Sequence, residues 1–168
     1  MVRHLVLLVA AATCTAASAP NREARSEISI GGGSLSCTAR DGRLVRFVHN
    51  PSSSEWARAY RGAGGTAFVE IGAPVLLPED EKVAMWAIAH ECGHHWLPSR
   101  LNTERRVDCL AARRVARLLG PFTREDAFAF AAALSTSKRS AAGHLPGADR
   151  VHLVLRCGGA PDLEAPAT

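Results

Sequence analysis

Residues 87–97 read AIAHECGHHWL. His90 and His94 are four apart, and Glu91 follows His90 directly. On an α-helix a four-residue step is little more than one turn, so both imidazoles project from one face and can reach a single ion. Glu91 lies about 100° further round the helix. From there it can reach a water beside the ion without binding the ion itself. The pattern His-Glu-x-x-His carries this chemistry only on a helix, and its surroundings predict one. Pro78, Glu79, Asp80 and Glu81 open it with acids where the macrodipole favours them. Pro98 closes it after about Trp96. Gly93 removes a side chain beside the ion and admits another segment.

A catalytic metal site takes a third protein ligand and keeps one position open. Glu104, in the first turn of the next helix, is the candidate. Asp108 lies four residues on, along the same face. One carboxylate can then bind the ion while the other fixes a histidine ring through its second nitrogen. Asp108 in place of Glu104 is the alternative assignment. His95 points off the His90/His94 face and reads as a surface residue or a support for the ligands.

Asn102 or Thr103 can cap the second helix, which carries Val107, Leu110, Ala111, Val115 and Leu118 at helical spacing and ends at Gly120-Pro121. Thr123-Arg124-Glu125-Asp126 resembles a capping box for a third helix reaching about Ser135. A small-residue loop, 135–147, follows. Residues 149–156 fit a helix, while the alternation of Val151, Leu153 and Leu155 fits a strand. Upstream, 21–50 reads as β structure, with a break at Gly31-Gly32-Gly33 and a hairpin turn at Asp41-Gly42 between 35–39 and 44–48. Residues 51–65 read as a mobile loop and 66–71 as a strand at the sheet edge. The expected fold class is α+β: a short N-terminal antiparallel β region, then a mainly helical core around the active-site helix.

The chain has 168 residues, 47% of them hydrophobic, enough for one domain with a sizeable core. Residues 1–19 read as an export signal: Arg3 and His4, an apolar stretch over 5–12 too short to span a bilayer, then Ala17-Ser18-Ala19. Cleavage after Ala17 is the alternative, because Pro20 follows Ala19. Thr13 before Cys14 fits a lipoprotein site poorly. The single domain then spans 20–158, with a flexible tail at 159–168, no integral membrane span, and a periplasmic or secreted destination. The formal charge of +4 is spread mainly over arginines with no interleaved aromatics, which argues against nucleic acid. Without Cys14, four cysteines are left, and an oxidising compartment predicts two disulfides. Three pairings are open. Cys92–Cys109 is favoured, because both sit on helices that must meet, and it leaves Cys37–Cys157. No spacing here makes the thiols metal ligands.

His90-Glu91-x-x-His94 followed by Glu104-x-x-x-Asp108 resembles the gluzincin metallopeptidases. HECGHH followed by ERRVDCLAARR looks most like small exported relatives of the CAAX-prenyl protease type, with Val107 where those families usually carry Ala. Downstream, His144-Leu145-Pro146 and Arg150-Val151 resemble their His-Pro and Arg-Ile segment, with one extra residue between His and Pro. The resemblance covers about 74–157 and implies a zincin-like core. It also implies one zinc ion per chain on His90, His94 and Glu104, with Glu91 as general base. His144 would then bind the tetrahedral intermediate, Asp108 would support a ligand, and Arg150 would tie its segment to the site. The expected activity is zinc-dependent hydrolysis of a peptide or protein, with Trp56 and Tyr60 as candidate substrate contacts. Two other classes use the same residues: a zinc-stabilised binding module without turnover, and a purely structural disulfide-held domain.

Overall fold

The computed structural model describes residues 24–76, 78–135 and 145–160. The stretch read as an export signal with Cys14, His144 and positions 161–168 of the expected tail lie outside the described residues. The elements run β1 (Ala24–Arg25), β2 (Glu27–Ile30), β3 (Gly33–Ser36), β4 (Arg46–Asn50), β5 (Ala57–Arg61), β6 (Ala67–Gly72), α1 (Ala73–Leu76), α2 (Glu81–Trp96), α3 (Glu104–Leu119), α4 (Arg124–Leu134) and α5 (Gly147–Cys157). The class is α+β, as expected. Small, mostly antiparallel strands come first and a helical region follows.

β2 and β3 form a two-residue hairpin, with Ile30 paired to Gly33. Its turn residues, Gly31 and Gly32, have φ of 59° and 76°. Such a turn needs positive φ at both positions, which is why glycines stand there. The turn at Asp41-Gly42 also forms, but it closes only an isolated bridge between Thr38 and Leu44. β4 instead joins a four-stranded sheet of order β1-β4-β6-β5, pairing in parallel with β6.

Two expectations about this sheet need correction. Residues 66–71 are not its edge: β6 is paired on both sides, and its buried Ala67, Val69 and Ile71 face the core. The edges are β1 and β5, and β5 lies inside the segment read as a mobile loop. Ala57-Arg58-Ala59-Tyr60-Arg61 lacks a clear apolar alternation, so its strand character comes from pairing with β6 rather than from its own pattern.

α2 is the centre of the molecule. It packs on β5, β6, α3 and α4, and every residue from Val83 to His90 is buried. A helix apolar on all sides belongs inside. Asp80 caps it, accepting from the Val83 N–H at 2.8 Å. α3 and α5 are amphipathic; α3 lies against α2, and α5 lies against α3 and α4. α4 opens with the expected capping box, Thr123 with Asp126. Residues 149–156 belong to a helix, α5, which buries Arg150, Val151, Val154 and Leu155 at helical spacing. The tail folds back at first, since the Ala160 N–H donates to the Leu155 carbonyl at 3.0 Å.

Two disulfides form, but not in the favoured pairing: Cys37 joins Cys92, and Cys109 joins Cys157. α2 and α3 do meet, but through Gly93, where an added Cβ would lie 2.8 Å from Val107 Cγ1. Cys92 is turned from that contact toward the segment after β3, and Cys109 is turned toward α5. Among the described residues no helix is long and apolar enough to cross a membrane.

Candidate metal centre

α2 brings the rings of His90 and His94 edge to face, with centroids 4.8 Å apart and Nε2 atoms 3.1 Å apart. The chain then reverses through Pro98 into α3. In its first turn Glu104 sets Oε2 3.1 Å from His90 Nε2 and Oε1 3.6 Å from His94 Nε2. One ligand atom from each of the three lies within 4.8 Å of the others. A tetrahedral cation with bonds of about 2.0–2.1 Å spaces its ligand atoms about 3.3 Å apart. The closest contacts here fall on either side of that spacing, so the donor set and its geometry fit a metal ion. His90 and Glu104 are buried and His94 is half-buried.

The second nitrogen of each ring is held. His90 Nδ1 lies 2.8 Å from Asp108 Oδ1. Asp108 is fully buried, and the Arg150 guanidinium grips it at both oxygens, Nε to Oδ2 at 3.0 Å and Nη2 to Oδ1 at 2.8 Å. Its carboxylate is thereby turned to the back of His90, which leaves Glu104 as the acid facing both Nε2 atoms. His94 Nδ1 lies 2.8 Å from Asn102 Oδ1, while Asn102 Nδ2 donates to the His94 carbonyl at 3.2 Å. A carbonyl can only accept, so it fixes the orientation of the Asn102 amide. Nδ1 of His94 must then carry the proton, and Nε2 offers its lone pair to the centre.

Burial alone would lower the His90 pKa, but Asp108, Glu104 and Glu91 outweigh it and raise the ring to about 9 in the metal-free protein. For Asp108 burial pushes upward, and His90 and Arg150 win, holding it below the ordinary carboxylate range.

Glu91 stands beside this group and not within it. Its Oε1 is 3.9 Å from His90 Nε2, and its Oε2 accepts from the Ala59 N–H at 2.8 Å. Flanking β5, Trp56 accepts from Gly72 at the end of β6 and Gly62 donates to Thr66 just before it. Ala59, in the other phase of the strand, therefore points its N–H away from β6, along the open edge. A cavity of about 340 Å³ adjoins His90 and Glu91, walled by Trp56, Trp86, Leu134 and Arg150. The Arg150 guanidinium lies 5.0 Å from the Trp86 ring centroid.

The structure thus brings together His90, Glu91, His94, Glu104, Asp108 and Arg150. Trp56 borders the cavity, whereas Tyr60 stacks on Phe68 at 5.2 Å. His95 is buried, its Nε2 2.8 Å from the Phe68 carbonyl. His144 lies outside the described residues. Asn102 and Ala59 were missed as members of the site. In the sequence Asn102 offers only a helix cap, and nothing in an alanine advertises its backbone N–H. Compared with family models, curated proteins and solved structures, the chain matches none.

Proposed function

We propose that the chain is a zinc-dependent endopeptidase of the gluzincin kind, acting on a peptide or protein outside the cytoplasm. The observation that carries the reading is the division of labour between the two glutamates. Glu104 faces both ligand nitrogens. Glu91 is held next to them by Ala59 and is not needed for binding. A carboxylate kept there without ligating is suited to move a proton. The two disulfides suit an oxidising compartment.

When bound, zinc would supply the Lewis acid that polarises a scissile carbonyl and brings the pKa of a water to about 7. His90, His94 and Glu104 would hold it, and Asp108 and Asn102 fix the ring orientations. Glu91 takes a proton from the attacking water and passes it to the leaving amine. An extended peptide lies along the open edge of β5 and pairs with its outward backbone groups other than the Ala59 N–H, which stays with Glu91. The cavity beside Trp56 and Trp86 receives a side chain. His144 donates to the developing oxyanion, and Arg150 tethers α5 through Asp108.

The test is zinc content and hydrolysis of an unfolded protein substrate, measured for the wild type, Glu104→Ala and Glu91→Gln. One zinc per chain should be found in the wild type and lost or greatly weakened in Glu104→Ala. Glu91→Gln should keep the zinc and lose turnover. Zinc without turnover in the wild type would make the chain an inert metal-stabilised module. A folded wild type without zinc would leave a disulfide-held structural domain.

A further inference from the structure

α3 is sharply divided in charge. Its two acids, Glu104 and Asp108, are both buried in the metal centre, while Arg105, Arg106, Arg113 and Arg117 are exposed and Arg114 is half-buried. Among the described residues no ion pair joins any of these five arginines to a carboxylate. Arg106, Leu110, Arg113 and Arg117 follow one another at four, three and four residues. They form a single stripe about 17 Å long.

The stripe ends at a groove of about 400 Å³ lined by Ser36, Thr38, Trp96, Leu110, Arg114 and Arg117. Here the Arg114 guanidinium donates to the Ser36 carbonyl. Burial and, after it, the neighbouring Arg117 charge both press down on the Arg114 pKa. Trp96 is 54% exposed although it ends the most buried helix of the molecule. Leu44 is 52% exposed and pairs in an isolated bridge with Thr38, which lines the groove. Leu118 is 38% exposed and lies one turn beyond Arg114. Arg40 is exposed and approaches the same corner, its N–H bonded to the His95 carbonyl at 3.0 Å.

We propose that this face seats the protein on an anionic lipid bilayer, with Trp96, Leu44 and Leu118 entering the headgroup layer and the α3 arginines pairing with phosphates. Large apolar side chains standing singly among guanidiniums suit a boundary that is apolar and anionic at once. A folded acidic partner would match the charges but would leave the indole and the two leucines without a continuous apolar patch to join. Each arginine near such a surface raises partitioning about fivefold, and salt weakens the effect.

The test is co-sedimentation of the full mature chain with vesicles of phosphatidylcholine alone, or mixed in equal parts with phosphatidylglycerol, at low and high salt. The wild type should bind the anionic vesicles at least tenfold more tightly. Its tryptophan emission should shift to the blue on binding, and Trp96→Phe should lose that shift. The double variant Arg113→Glu/Arg117→Glu alters only exposed side chains. It should bind at least tenfold more weakly while keeping the wild-type melting temperature and disulfides. Absence of binding at low salt would overturn the proposal, as would equal binding by the charge-reversed variant. Anionic-vesicle binding without the Trp96 shift, abolished by soluble polyglutamate, would identify an acidic polypeptide as the partner and overturn the lipid assignment.

Discussion

Asn102 spends both ends of its amide on His94, one on the ring and one on the carbonyl. Asn102→Ala therefore leaves the ligand set intact and frees one ring to rotate and change tautomer. Metal affinity should fall about 10- to 100-fold by calorimetric titration, with thermal stability nearly unchanged in the metal-free form. An unchanged affinity would mean the helix alone fixes His94. A second outcome concerns protons. His90 has its pKa raised from 6.5 to about 9 in the metal-free fold. The favourable interactions of its charged form are then fully present below about pH 6.5 and are lost as pH rises through about 9. Urea unfolding of chelator-treated protein should show stability falling across that window by on the order of 3 kcal/mol. A flat profile would remove the Asp108–His90–Glu104 ion pairing from the account. His90, Glu91 and His94 were legible because helical spacing alone puts them together. Asn102 was not, because no periodicity links a loop residue to a helix that ended before it.

Gly93 marks the closest approach of α2 and α3, between the turns that carry the ligands. Gly93→Ala adds a methyl that Val107 must yield to. The gain in helix propensity, up to about 1 kcal/mol, opposes an overpacking cost of about 1–3 kcal/mol. The net melting shift should be small and downward. Metal affinity should drop more than stability does, because Glu104 moves off with α3. Paired melting and titration curves check this, and equal losses in both would show a uniform loosening. The same contact explains the misread cysteines. Meeting helices need not bring their cysteines together, since a helix presents a new residue to its neighbour every 100° or so. The helices themselves were legible from caps and apolar spacing. α5 needed its tertiary setting, because Val151, Leu153 and Leu155 satisfy a strand period as well, and only the buried Arg150 and Val154 break the tie. β5 was hidden for the opposite reason: its residues are ordinary, and β6 makes it a strand.

At the scale of the whole chain, the bridges Cys37–Cys92 and Cys109–Cys157 close loops separated by 55 and 48 residues in sequence. Each contributes about 4 kcal/mol by the chain-entropy model. The loops do not overlap, so the chain from Cys37 to Cys157 is covalently two rings in tandem, one holding β4, β5, β6 and most of α2, the other most of the remaining helices. Residues 93–108 alone join them, and this connector carries His94, Asn102, Glu104 and Asp108. A cut inside either ring leaves every fragment attached, while a cut in the connector divides the molecule. Arg100, Arg105 and Arg106 offer trypsin three places to make it. With metal bound across His90, His94 and Glu104 the connector is cinched at both ends, and a non-reducing gel should show one band persisting through digestion. Stripped by chelator, the same protein should part into two halves. The metal centre would then act also as the clasp between two closed loops of chain, and its loss would expose the stretch where a single peptide bond joins one ring to the other.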